Sequence, residues 1–149
     1  MKATILIAIV LTAAVAGLSR AAAATQSSTT VSTATSNLGR ILVDSRGRTL
    51  YLFEKDKRGH SRCAGACVTY WPPLLTNGKP TAARAAKQAL LGTTRRADGT
   101  TQVTYGRHPL YRFVQDAKPG QTTGQDLHDF GAGWYVLAPA GTKIESDGS

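Results

Sequence analysis

No apolar run in this chain reaches the ~20 residues needed to cross a bilayer. The chain also lacks a Gly-x-Ser-x-Gly elbow, a phosphate-binding glycine loop and a zinc-protease helix motif. These gaps argue against a membrane-spanning segment and nominate no nucleophile. Cysteine is scarce, at two residues. Neither the two-residue Cys spacing followed by His that attaches haem nor a pair of zinc knuckles is present. Acidic residues are few as well, nine against eighteen Lys and Arg, so any electrostatic partner of the surface is an anion.

What is present begins with Met1-Lys2, an apolar run from Ala3 to Leu18, then Ser19-Arg20 and Ala21 to Ala24. A basic start, an apolar middle and a small-residue exit make a secretory signal, so residues 1–24 are expected to be cleaved after Ala23 or Ala24. The mature protein is then expected to be soluble and extracytoplasmic, secreted or periplasmic. No Cys follows the apolar run to accept a lipid. Removing Lys2 and Arg20 leaves sixteen Lys and Arg against nine Asp and Glu, a net charge of +7. Arg40, Arg46, Arg48, Lys55, Lys57, Arg58 and Arg62 crowd one stretch, offset by Asp44, Glu54 and Asp56. Outside the cytoplasm the anions within reach are lipid headgroups, wall polymers and acidic glycans, not nucleic acid. An anionic envelope component is the expected partner, and the plainer alternative is a solvated basic face.

Residues 25–37 are almost wholly small and hydroxylic and read as a Ser/Thr-rich linker, too poor in large apolar groups to bury anything. Ordered composition runs from Leu38 to Gly141 and suits one domain with one core, followed by a flexible tail over 142–149.

Within that domain one unit occurs twice. Leu50-Tyr51-Leu52-Phe53-Glu54-Lys55-Asp56 reappears as Leu110-Tyr111-Arg112-Phe113-Val114-Gln115-Asp116, and each copy later places a Trp three residues before a Leu, at Trp71 and Leu74 and at Trp134 and Leu137. The copies span about 38–75 and 90–141. Side chains alternate along a strand, so Tyr51 and Phe53 share a face with each other, as do Tyr111 and Phe113, and this aromatic face is the common core. The opposite face is apolar in copy one (Leu50, Leu52) and half-polar in copy two (Leu110, Arg112), which predicts a more covered strand and a more exposed one. Turns at Ser45-Arg46-Gly47 and Asp98-Gly99 join further strands as hairpins. Ala83, Ala85, Ala86 and Ala89 after Pro80 predict one short helix over Thr81 to Leu90. The expected fold is mainly β: an antiparallel pseudo-twofold sandwich or small barrel built from two related hairpin units.

These residues resemble the bacterial secreted-repeat family, predicted lipoproteins named for a Tyr-x-(Phe/Trp/Tyr)-x-x-Asp motif. Here the motif stands as Tyr51-Leu-Phe53-Glu-Lys-Asp56 and Tyr111-Arg-Phe113-Val-Gln-Asp116. The likeness extends over Cys63-Ala-Gly-Ala-Cys67, Trp71-Pro-Pro-Leu74, Asp98 to Tyr105 and Gly133-Trp-Tyr-Val136. The resemblance implies export and no assigned catalytic residues. The lipid-acceptor Cys of the lipoprotein members is missing here.

Three groups of residues carry candidate chemistry. Cys63 and Cys67 are an even pair in an exported chain, which favours a disulfide. In an extended strand their Cα atoms would stand ~13 Å apart, so a helical turn or a loop at Gly65 must bring them together. Their sharper alternative is a copper or redox site in which His60, and His108 or His128 if the fold brings them near, joins the two thiolates. Asp56 and Asp116 hold equivalent places and either meet as an acid/base pair or cap turns. Tyr51, Phe53, Tyr111, Phe113, Trp71 and Trp134 either pack the core or stack on a sugar or aromatic ligand, with Tyr70, Tyr105 and Tyr135 as candidates for an exposed patch. No cofactor is expected on the first reading, and copper on the alternative. The expected function is a non-enzymatic exported binding or structural module.

Overall fold

The computed structural model describes residues 27–146; the expected signal peptide lies outside them. In chain order the elements are β1 (Thr30–Ser36), β2 (Gly39–Asp44), β3 (Tyr51–Phe53), α1 (Ala66–Tyr70), β4 (Thr81–Ala82), a 3₁₀ turn (Gln88–Leu90), β5 (Leu91–Arg95), β6 (Thr101–Tyr105), β7 (His108–Pro109), β8 (Leu127–Asp129) and β9 (Ala132–Val136). The fold is mainly β, as expected. It forms three three-stranded sheets, ordered β2-β1-β4, β3-β9-β8 and β5-β6-β7. Neighbours are antiparallel except β1 and β4. The described strands do not close into a barrel.

Three expectations need correction. The segment expected to be a linker contains β1, which pairs with β2 from Val31 opposite Asp44 to Ser36 opposite Gly39. Thr and Val are β-branched and suit a pleated strand whatever their small size, and Val31 and Thr33 are buried. The Ala-rich stretch expected to be helical is β4, a turn and one 3₁₀ turn. Ten residues are too few to sustain a helix by propensity alone. The donors of Thr81 and Ala83 go instead to the carbonyls of Thr29 and Val31, and the Gln88 side chain bonds Ala82 N–H and Pro80 C=O. Among the described residues the one α-helix is α1, which begins inside the cysteine loop and runs past Cys67 to Tyr70. The expected tail is ordered at its start: Ile144 N–H donates to Val136 C=O at 2.8 Å, and its side chain packs against the core.

The two copies interlock. Tyr51 and Tyr111, equivalent residues, exchange both backbone hydrogen bonds, at 2.9 and 3.0 Å. An antiparallel pair in which a residue faces its own counterpart has a local twofold axis through it. The final strand of each copy then crosses to the other copy. Leu42 N–H donates to Leu137 C=O, and correspondingly Val103 N–H donates to Leu74 C=O. β9 of copy two pairs with β3 of copy one, while Pro73 of copy one bridges to Tyr111 of copy two. Neither copy can complete its own hydrogen bonding, so the pair is the folding unit.

Both faces of the repeat strands are covered. The aromatic face contributes Tyr51, Phe53, Tyr111 and Phe113 to one buried cluster, with Trp71, Trp134 and the two cysteines. Leu50, Leu52 and Leu110 go to a second, mostly aliphatic cluster with Leu74, Val103 and Leu137. Arg112 escapes burial at the end of that face, where its Nε donates to Asp44 at 2.6 Å.

Candidate functional site

The strand alternation at 51–53 and 111–113 delivers four aromatic rings to the twofold axis, and Trp71, just after α1, and Trp134, on β9, add two more. Phe53, Trp134, Trp71 and Phe113 stack in that order, with ring centroids 4.0, 3.9 and 4.2 Å apart. The two equivalent indoles lie at the centre, nearly parallel at 6°. Tyr51 meets Trp71 edge-on at 5.3 Å and Tyr111 meets Trp134 edge-on at 5.1 Å. Offset stacks flanked by edge contacts are the arrangement that ring quadrupoles favour. All six rings are buried, so the stack is the interior of the domain and offers no face to a sugar.

The phenols cross the same axis. Tyr51 Oη donates to Asp116 Oδ2 at 2.5 Å, and Tyr111 Oη donates to Asp56 Oδ2 at 2.8 Å. Each tyrosine is therefore held by the aspartate of the opposite copy. The other carboxylate oxygens accept loop donors: Arg62 N–H bonds Asp56, while Thr123 N–H and Oγ–H bond Asp116. Asp56 and Asp116 are thus not brought together as an acid/base pair, because each is consumed by a separate tyrosine and a separate turn. Gly124 completes the Tyr51 side. Its N–H reaches Tyr51 Oη at 3.2 Å, and a Cβ there would stand 2.7 Å from the Trp71 ring.

Burial, reinforced by the hydrogen bond to Asp116, holds the Tyr51 phenol well above its ordinary range. Burial and the Asp56 charge do the same to Tyr111. Both phenols stay protonated and act as donors. The Asp56 carboxyl is pushed up to about 6, chiefly by burial, although the Arg62 N–H, the Tyr111 hydroxyl and the charges of Arg96 and Arg62 pull it down. In an unfolded chain the same group ionises near ~4. The folded state therefore keeps this proton longer. The stability it contributes is complete below about 4 and is lost as pH rises through about 6. A Tm series over that window should slope downward with pH, and Asp56→Asn should flatten it; an unchanged slope in the variant would contradict this assignment.

Beside the core, Cys63 and Cys67 are disulfide-bonded with Cα atoms 5.3 Å apart. Both devices required by their spacing are used: Gly65 turns the chain at φ 60°, and α1 places Cys67 in its first turn. Trp71 follows directly, its N–H donating to Cys67 C=O at 2.8 Å, so the loop sets where the indole enters the stack. Closing so short a loop removes about 2 kcal/mol of unfolded-chain freedom. Reduction, or Cys63→Ser with Cys67→Ser, is expected to lower stability by about that amount in urea melts. No loss on reduction would show that the loop is held by its packing alone.

With both sulfurs paired, neither is a thiolate for copper. His60 turns to Thr94, with Nδ1 and Oγ1 3.4 Å apart, and among the described residues no group of three or more His, Cys, Asp or Glu side chains gathers to hold a metal. His108 lines a different cleft, with Asp56 and Lys143, and His128 lies on β8. Of the three tyrosines expected on the surface, Tyr70 is 49% exposed and its ring tilts against Phe130. Tyr105 and Tyr135 are buried instead, Tyr105 because its hydroxyl donates to Pro139 C=O and accepts Lys87 N–H.

One buried group has no signal in the sequence. Arg96, at the β5–β6 turn, folds inward: Nη1 donates to Ser61 Oγ and Gln102 Oε1, and Nη2 donates to Cys63 C=O at 2.7 Å. It thereby ties copy two to the disulfide loop of copy one. Its Nε has no hydrogen-bond partner among the described residues.

Fold and site together define a duplicated β module whose two copies share one aromatic core and whose repeated Tyr and Asp groups are spent holding that core. The chain belongs to the family described as a secreted repeat of unknown function, whose profile matches residues 32–75 and 92–138, one match per copy. No curated protein and no solved structure matches the chain.

Proposed function

We propose that the protein is a non-enzymatic binding or structural module of the bacterial cell envelope, soluble after signal cleavage and directed by its basic face to an anionic envelope component. The supporting observation is a separation of roles. The repeat's tyrosines and aspartates satisfy one another inside, whereas Arg40, Arg46, Lys55, Lys57, Arg58 and Arg62 are exposed and form no ion pair among the described residues. Arg48 leaves this group, since it is half-buried and its Nη1 donates to Asp116 C=O at 2.6 Å, whereas Lys55 stays exposed with its Nζ 3.3 Å from Phe130 C=O. Unneutralised cations raise the local concentration of polyanions and give association that salt screens, with the Debye length falling from about 10 Å at 0.1 M to about 3 Å at 1 M. No described helix is long and apolar enough to cross a membrane.

Co-sedimentation of the mature chain with phosphatidylglycerol and phosphatidylcholine vesicles tests this. Binding to the anionic vesicles alone, weakening with salt, is the expected result. Equal binding to both, or none, would remove the reading. Thiol titration and metal analysis on protein isolated from its exported location address the copper alternative, which needs free thiols with bound metal.

A further inference from the structure

We infer that the cleft between the disulfide loop and the β5–β6 turn binds a phosphate-bearing ligand, with Arg62, Arg95 and Arg96 as its cationic walls. The inference rests on the anionic-partner reading above and gives it a place and a chemistry. The cleft, about 610 Å³, is formed by His60 to Gly65 and Val68 on one side and Arg95 to Asp98 on the other. Its two walls come from different copies of the repeat, and both are fixed. The disulfide holds one, and the hydrogen bonds of Arg96 to Ser61 and Cys63 hold the other against it.

Charge makes this cleft unlike its neighbours. The cleft beside Asp44 also contains three arginines, but Arg112 is paired with Asp44 and Arg48 with a carbonyl. Here the Arg96 side chain is only 6% exposed, and every group it hydrogen-bonds is neutral. A buried charge without an ionised hydrogen-bond partner is costly. The nearest carboxylate in the cleft is Asp98, 3.9 Å from the unpartnered Nε and itself exposed. Asp98 does not close over the cation, because its Oδ1 is held by Thr100 N–H at 2.9 Å and Thr100 Oγ–H at 2.6 Å. Arg62 and Arg95 are exposed on opposite walls and their side chains make no hydrogen bond among the described residues. Within the lining three guanidinium groups therefore face one carboxylate, with Asp56, outside the cleft, in electrostatic reach of Arg62 and Arg96.

A phosphate group fits this set. Its several acceptor oxygens take donors from more than one direction, and guanidinium forks match them in geometry and sign. The volume exceeds that of a lone ion and lies in the range of small-ligand sites, so the phosphate is expected to carry an organic group. Its source is either a free phosphate ester or a lipid headgroup.

The test uses the mature chain with inorganic phosphate, glycerol phosphate and phosphatidylglycerol vesicles, followed by ¹H–¹⁵N spectra. Saturable shifts confined to residues 60–65 and 95–98, together with the Arg96 Nε–H signal, are expected for the two soluble ligands. Arg62→Ala with Arg95→Ala, at exposed positions, should weaken glycerol phosphate roughly tenfold or more, since it removes two charge-assisted donors whose solvent exposure discounts each of them. A parallel loss of vesicle binding assigns the phosphate to a lipid headgroup; unchanged vesicle binding assigns it to a free ester. Shifts spread evenly over Arg40, Lys57 and Arg58, or a double variant that titrates like the parent, would overturn the cleft while leaving the basic-face reading intact. Localised shifts in a protein that ignores anionic vesicles would do the reverse.

Discussion

Trp71→Ala and Trp134→Ala are each expected to cost about 3–5 kcal/mol, a large share of a domain stability that is of order 5–15 kcal/mol. The cause is position as much as size. Each indole is stacked on its counterpart at 3.9 Å and on a Phe at 4.0 or 4.2 Å, and takes a Tyr edge as well, so truncation removes contacts on both ring faces at once. The cavity opens on the axis, where the two copies meet, and neither has a side chain in reserve to fill it. Trp134 carries a further loss, since its Nε1 donates to Asp129 C=O at 3.0 Å, whereas Trp71 Nε1 is unpartnered. Urea midpoints measure the effect, and the exciton band of paired indoles in circular dichroism should vanish in both variants. A cost under about 1 kcal/mol, the level of an ordinary surface change, would mean that the stack is not the core.

The second large effect is expected at Asp116. Asp116→Ala leaves the buried Tyr51 hydroxyl without its acceptor, and also frees Thr123 N–H and Thr123 Oγ–H, which lie at an exposed residue where water can take them. Losing a buried hydrogen bond to a charged group costs about 1.5–3 kcal/mol, so a loss of that order is expected, most of it from Tyr51. A double-mutant cycle with Tyr51→Phe should return a coupling of about 1.5–3 kcal/mol between residues sixty-five positions apart. The equivalent cycle on Tyr111 and Asp56 should give less, because Asp56 is only half-buried and Ser61 Oγ also takes the Tyr111 hydroxyl at 2.7 Å. Additive single effects in both cycles would refute the crossed arrangement.

The parts of this architecture that were legible from sequence are those written in short-range pattern. Alternation at Tyr51 and Phe53 and at Tyr111 and Phe113 identified the aromatic face, and the repetition of the motif identified two copies of one unit. The spacing of Cys63 and Cys67 required the turn that Gly65 and α1 provide. The crossing was not legible, because pairing Tyr51 with Asp116 instead of Asp56 is decided by how two copies dock, which no local periodicity records. Composition misled at two places. Thr30 to Ser36 looked too small to bury anything, yet β1 precedes and pairs with β2 as β5 precedes and pairs with β6, so β1 is the counterpart of β5 in the other copy. Ala83 to Ala89 carried helix propensity, but β1 claimed the backbone donors of that segment first. Arg96 was beyond reach for a different reason: nothing distinguishes it from its exposed neighbour Arg95 until the Gln102 and Cys63 acceptors are in place.

The exchange of final strands has a consequence for how such chains associate. Residues 76–90 connect the copies, and each copy presents a surface whose complement is the other copy, not itself. Closure within one chain is favoured only because the connector keeps the complement at high effective concentration. At protein concentrations that rival this, copy one of one molecule and copy two of another can meet through the same contacts, and two chains trade halves into an intertwined dimer that keeps the hydrogen bonds between copies. Shortening the connector below the span it must cover would make that dimer the sole closed form.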